Sequence, residues 1–204
     1  FGDMKMEKYP LRGEWRLKDL EDNKDWLLEL ELEDKQDIIF ATKASLSLKK
    51  NIFDLSAHDF PLNKFLTKIE KVKAQVESGL GFIILRGLPV EEFKDDEVKV
   101  MLWGLGQYIG YPEVQDKAGA LLHVVTDTGA SVNKTDNIRG FQTNEELQFH
   151  TDGADVFALL CLRNAKSGGL SKLVSSVAVF NEIEKTRPDL SKILQEDFYF
   201  DARA

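Results

Sequence analysis

Residues 143–162 read TNEELQFHTDGADVFALLCL, and in that run His150 and Asp152 stand two positions apart at the mouth of an apolar stretch. On an extended segment, residues i and i+2 leave the backbone on one face. The imidazole and the carboxylate would therefore project together, with Thr151 turned away, and such a pair can chelate one divalent ion. Two protein ligands are too few for a complete centre. A mononuclear iron(II) oxygenase site takes two His and one carboxylate on one face of an octahedron and leaves the other positions open. The pair alone is weak, since about one chain in four of this composition carries a His-x-Asp by accident. A His and an Asp that simply pair at a strand end account for it equally well.

Three further residues could take part in binding. His123 lies among apolar neighbours in LLHVVTDTG. It reads either as a hydrogen-bonded histidine at the core edge or as a residue lining a substrate or co-substrate pocket. Gln142 and Asn144 precede His150 by eight and six residues. Their amides read either as caps of a loop or as donors to substrate and to groups around the metal ligands. The run GLGQYIG lacks the spacing and the preceding strand of a dinucleotide fingerprint, and Trp103 reads as core packing. The lysines of residues 64–73 read as the solvated face of a helix.

The elements that would position these residues are legible in part. The first fifty residues read as an arm, with Ile38, Ile39, Ala41 and Ala44 predicting a helix behind the charged turn at Asp34. Leu62, Phe65, Leu66, Ile69, Val72 and Val76 recur at helical spacing and stop at Gly79. GFIILRGLPV reads as a short buried strand, and DDEVKVMLWGLGQYIGYP as a helix with two acids at its start. Residues 113–145 read as loops with short strands. Strands are then expected over Val156–Leu162 and in LSKLVSS, a helix in VAVFNEIEKT, another opened by Pro188, and a strand start in DFYFDARA. Helices first and strands later predict an α+β fold.

Composition narrows the function classes. The chain has 204 residues and a formal net charge of -8. That acidic balance argues against nucleic acid, which needs clustered Lys and Arg. No apolar stretch approaches the roughly 18 residues of a membrane span, and the N-terminus lacks a signal-peptide layout. The N-terminus also lacks an initiator Met and reads as trimmed. The single Cys161 cannot form an internal disulfide, which points to a reducing compartment and hence the cytoplasm. Self-association into a homo-oligomer stays open.

The stretch LQFHTDGADVFALLCLRNAKSGGLSKLVSSVAVFNEI resembles the taurine dioxygenase-like (TauD/TfdA, clavaminate synthase-like) family of iron(II)- and 2-oxoglutarate-dependent oxygenases. The likeness lies in the H-T-D pair, the apolar run, the turn with Gly168-Gly169, a hydroxyl residue two places later, then a strand and a helix near Val177. GFIILRGLPV, LLHVVTDTG, FQTNEELQFHTD and RPDLSKILQEDFYFDARA extend it from about Leu62 onward. The resemblance implies that His150 and Asp152 are the first two iron ligands. It implies that Ser171 hydrogen-bonds a carboxylate of 2-oxoglutarate. Leu170 departs from the acidic residue common after the glycine pair. The family's second His ligand, and an Arg for the distal carboxylate, lie well downstream of the Asp. None of the three histidines here follows His150, so both are expected outside these residues and the chain reads as a fragment.

The resemblance further implies a double-stranded β-helix, a cupin-like jelly roll with N-terminal helices packed on it. One oxygenase domain is expected over 1–204, with an arm over 1–60 and the first part of the jelly roll over 61–204. The implied activity is oxidation of an unactivated C–H bond of a small organic molecule, by hydroxylation or desaturation. Fe(II) is the cofactor, 2-oxoglutarate and O2 are co-substrates, and succinate and CO2 are released. The alternative from another class is a catalytically inactive family member that binds a small molecule or a partner. A third reading, a hydrolytic zinc site, would need neither 2-oxoglutarate nor oxygen.

Overall fold

The computed structural model describes residues 13–126 and 146–199. In chain order its elements are α1 (Leu17–Asp22), β1 (Leu27–Glu29), α2 (Leu32–Ser47), α3 (Leu66–Ser78), β2 (Ile84–Arg86), α4 (Asp95–Gly106), α5 (Ser176–Thr186) and α6 (Pro188–Ile193). The architecture is α+β. It divides into two compact units, one from 1–35, 64–88 and 170–204, the other from 36–63 and 89–169.

In the first unit β1 and β2 pair in parallel, with Leu27 opposite Ile84, Leu28 opposite Leu85 and Glu29 opposite Arg86. A cross-strand ion pair of 2.9 Å joins Arg86 Nη1 to Glu29 Oε1. The segment expected as an arm thus supplies half of this sheet. Beside it, Phe82 meets the Trp15 ring at 5.1 Å and the Trp26 ring at 6.4 Å. Each indole N–H is satisfied by a backbone carbonyl, Trp15 by Leu80 and Trp26 by Leu20, as half-buried tryptophans require. The expected helix from Leu62 begins at Leu66, turns Ile69 and Val72 inward, and ends with Gly79 as its cap. Asp34, 5% exposed, accepts from the Glu31 amide and from Lys68 Nζ at 2.5 Å. A carboxylate this buried needs such a counter-ion.

The second unit is built on the remainder of α2 and on α4. Ile38, Ala41, Thr42 and Ser45 form one buried face of α2, at the 3–4 residue spacing of a helix. Its two hydroxyls are satisfied: Thr42 donates to the Ile38 carbonyl, and Ser45 to the Asp59 carbonyl at 2.6 Å. α4 opens with Asp95, Asp96 and Glu97, acids that suit the positive end of a helix. It buries Val98, Met101, Trp103 and Leu105. Trp103 packs with Leu55 and Val100, donates from Nε1 to the Leu55 carbonyl, and meets the Phe53 ring edge-on at 5.1 Å. Its expected core role is what the structure has. Tyr108 Oη donates to the Phe60 carbonyl at 2.7 Å and accepts from the Leu62 amide.

The later strand expectations are corrected. Among the described residues β1 and β2 are the only paired strands, and β2 is partly exposed rather than buried. Val156–Leu162, residues 170–175 of the LSKLVSS stretch and the described part of DFYFDARA lie in neither helix nor ladder. Val156, Phe157 and Leu159 are 42%, 57% and 72% exposed. An apolar run reports that a segment favours burial. A strand also needs a neighbour to take its N–H and C=O groups, and no described residue supplies one here. The described residues show the α+β part of the expectation and do not show the double-stranded β-helix.

Two predictions follow from the second unit. A Cβ on Gly104 would overlap the fully buried Phe60 ring. Gly104→Ala is expected to destabilise by about 1–3 kcal/mol, outweighing the ~1 kcal/mol that Ala gains over Gly in a helix; urea unfolding measures it. Lys50 Nζ, then the Ser56 amide and hydroxyl, lower the Asp59 carboxyl from 3.8 to about 2. Because the folded value lies below the unfolded one, this stabilisation is complete above 3.8 and lost as pH falls toward 2. Asp59→Asn should thus be less stable than the parent at neutral pH, with the gap closing through that window. A gap independent of pH would contradict the assignment.

Candidate metal centre

His150 and Asp152 lie in the second unit, on backbone that is neither helical nor ladder-paired. Their side chains converge: His150 Nε2 is 4.0 Å from Asp152 Oδ1, and the two side chains are 56% and 52% exposed. His150 Nδ1 lies 2.8 Å from the Gln148 carbonyl oxygen. A carbonyl can only accept, so Nδ1 carries the proton, and in the neutral imidazole Nε2 keeps its lone pair. This is the tautomer of a metal-ligating histidine whose other nitrogen donates to the backbone.

The separation can be compared with what an ion would need. Adjacent octahedral positions with bonds of about 2.1 Å are about 3 Å apart. Two half-exposed side chains reach that from 4.0 Å by small torsional changes. The donor set, one borderline nitrogen and one hard oxygen, suits iron(II), so these residues fit the implied ion as two of its ligands. Among the described residues no third His, Cys, Asp or Glu joins them.

The apolar run beyond the pair is fastened at its far end. Arg163 forks onto Asp95 in the first turn of α4, with Nη1 and Nη2 at 3.0 and 2.7 Å from the two carboxylate oxygens. The guanidinium holds the Asp95 carboxyl below the usual carboxylate range, and Asp95 raises Arg163 in turn. Cys161, exposed and free, meets the Asn164 side-chain oxygen at 3.6 Å.

The other sequence candidates fall elsewhere. Ser171 belongs to the first unit, where it lines a cleft of about 770 Å³ with Trp15, Trp26, Phe82 and Ser175. His123 is half-buried, with Nε2 at 3.3 Å from Asp116 Oδ2. Asp116 in turn accepts from the Ala120 amide, which closes a tight loop. His123 thus stands beside a carboxylate in a loop of the second unit. Gln142 and Asn144 lie outside the described residues. Two contributors had no sequence signal of their own: the Gln148 carbonyl, which any residue type could supply, and the Arg163–Asp95 fork, which spans 68 positions.

Comparison with known proteins gives a consistent result. The model of the family described as "Taurine catabolism dioxygenase TauD, TfdA family" matches residues 46–204. FR-33289 synthase of Streptomyces rubellomurinus is 29% identical over 198 residues, covering 96% of this chain and 58% of that protein. Taurine hydroxylase-like protein SAT17 of Stachybotrys chartarum is 30% identical over 154 residues, covering 72% of this chain and 40% of that protein. The chain thus spans about half the length of these two relatives.

The geometry predicts that His150→Ala and Asp152→Ala each weaken divalent-ion binding at least about tenfold, since even residues that merely orient metal ligands are worth that much. Anaerobic calorimetric titration of the full-length protein with iron(II) checks it. Unaltered affinity in both variants would rule the pair out as ligands.

Proposed function

Because this chain belongs to the taurine catabolism dioxygenase TauD, TfdA family, we propose that it carries half of an iron(II) centre in a 2-oxoglutarate-dependent dioxygenase. The observation that carries this reading is the convergence of His150 Nε2 and Asp152 Oδ1 with Nδ1 already engaged by Gln148. His150 would offer a neutral lone pair and Asp152 a negative charge to the same cation. Ser171 would donate its hydroxyl to a carboxylate of 2-oxoglutarate. The remaining histidine ligand and an arginine for the distal carboxylate would come from outside these 204 residues, where the surrounding double-stranded β-helix would also be completed.

Bound iron would couple the oxidative decarboxylation of 2-oxoglutarate by O2 to oxidation of a C–H bond. For hydroxylation the balance is simple: R–H, 2-oxoglutarate and O2 give R–OH, succinate and CO2. The protein's part is to orient the two ligands, bind the keto acid and hold the substrate C–H near the centre. The substrate is proposed only as a small organic molecule. No helix among the described residues is long and apolar enough to cross a membrane, and the cytoplasm is the proposed compartment.

The test is succinate formation from 2-oxoglutarate by the full-length protein with iron(II) and ascorbate. Turnover is expected in the parent and at least about 10³-fold less in His150→Ala, the scale on which removing a group essential to the reaction acts. Equal turnover in the two proteins would refute the iron assignment. A parent that binds 2-oxoglutarate but never releases succinate would favour the non-catalytic binding protein.

A further inference from the structure

Residues 13–16, GEWR, cross the first unit as a strap, and each of the four is tied down. The Ser175 hydroxyl donates to the Gly13 carbonyl at 2.5 Å. Asn181 Nδ2 donates to Glu14 Oε2 at 2.9 Å, Trp15 Nε1 to the Leu80 carbonyl at 2.9 Å, and Arg16 Nη2 pairs with Glu182 at 3.0 Å. Three of these partners belong to α5 or its N-cap. Gly13 itself has φ +79, a backbone conformation that favours glycine, so the strap turns where its sequence permits.

Ser175 uses its hydroxyl twice. While donating to Gly13 it also accepts from the Ala178 amide at 3.0 Å, as the N-cap of α5. At 5% exposure, removing it would strip a partner from a carbonyl and from a helix N–H in a site with little water to replace it. The segment 170–174 just upstream is exposed and lies in no helix or ladder. Ser175 is the first buried residue after Ser171, and strap and Ser171 line the same cleft.

We infer that Ser175, clamped by the strap, is a positioning residue for Ser171 and so sets the affinity for the ligand carboxylate that Ser171 meets. The inference rests on the proposed role of Ser171 toward 2-oxoglutarate. It adds a determinant from the N-terminal segment, more than 150 residues away in sequence, to a site otherwise made of later residues.

The experiment titrates 2-oxoglutarate into the full-length protein loaded anaerobically with iron(II), following heat rather than turnover. Ser175→Ala should weaken 2-oxoglutarate about five- to tenfold, the effect of one lost hydrogen bond, while iron(II) affinity stays unchanged. Ser175→Thr should restore binding. Arg16→Ala, an exposed position that folds regardless, should weaken 2-oxoglutarate about twofold and speed hydrogen exchange over residues 170–175. A purely structural role would lower the unfolding temperature and leave 2-oxoglutarate affinity in the folded protein as it was, which overturns the inference. Equal losses of iron(II) and 2-oxoglutarate affinity would overturn it too. If the parent itself binds no 2-oxoglutarate, the functional reading fails and this one falls with it; binding in the parent with no change in the variants sinks this inference alone.

Discussion

The proposed chemistry of this chain turns on which nitrogen of His150 carries the proton. A backbone carbonyl two residues upstream decides it, because Gln148 O can only accept and sits 2.8 Å from Nδ1. With that hydrogen on Nδ1, the electron pair of Nε2 is directed toward the side where Asp152 lies. Were Nδ1 free, the ring could rotate and exchange tautomers, and the nearby carboxylate would more simply act as a hydrogen-bond partner. In the proposed centre the local chain path would thus prepare a ligand before any ion arrives, which is how preorganised sites lower the cost of binding.

The two units are each stabilised by similar means, apolar faces pinned by a few buried polar contacts. In one unit Trp103 and Tyr108 combine large apolar surface with a polar atom that reaches a specific carbonyl. In the other, Trp15 and Trp26 flank Phe82 in the same way, and Asp34 with Lys68 forms the buried charge pair. Such contacts contribute modestly when made and cost more when broken. They fix register more than they add stability.

What could be read from the sequence followed the range of the interaction involved. Helices α3, α4, α5 and α6 were legible because their periodicity, caps and Pro or Gly stops are local. The His-x-Asp pair was legible for the same reason. Ser171 was a candidate only through family resemblance, since a lone serine after two glycines has no distinguishing pattern. Strands behaved differently. The run from Val156 to Leu162 has a strand's composition, but pairing is a property of two segments, and no described residue supplies the second. β1, hidden in a charged stretch, was missed because its partner lies far along the chain. Polar links such as Arg163 to Asp95, or Ser175 to Gly13, join positions whose types are unremarkable on their own.

The parallel register of β1 with β2 has a kinetic corollary. Glu29 and Arg86 are 57 positions apart, so closing the loop between them costs roughly 3.5 kcal/mol of chain entropy beyond a constant term. A three-residue ladder returns little against that. The intervening helices α2 and α3 shorten the effective loop once formed, so the order of events is set: helices condense first and the two strands meet afterwards. An emerging polypeptide would hold residues 27–29 unpaired until residue 86 has left the ribosome. Closure of this sheet is therefore a late step relative to the synthesis of β1, although the sheet begins near the N-terminus.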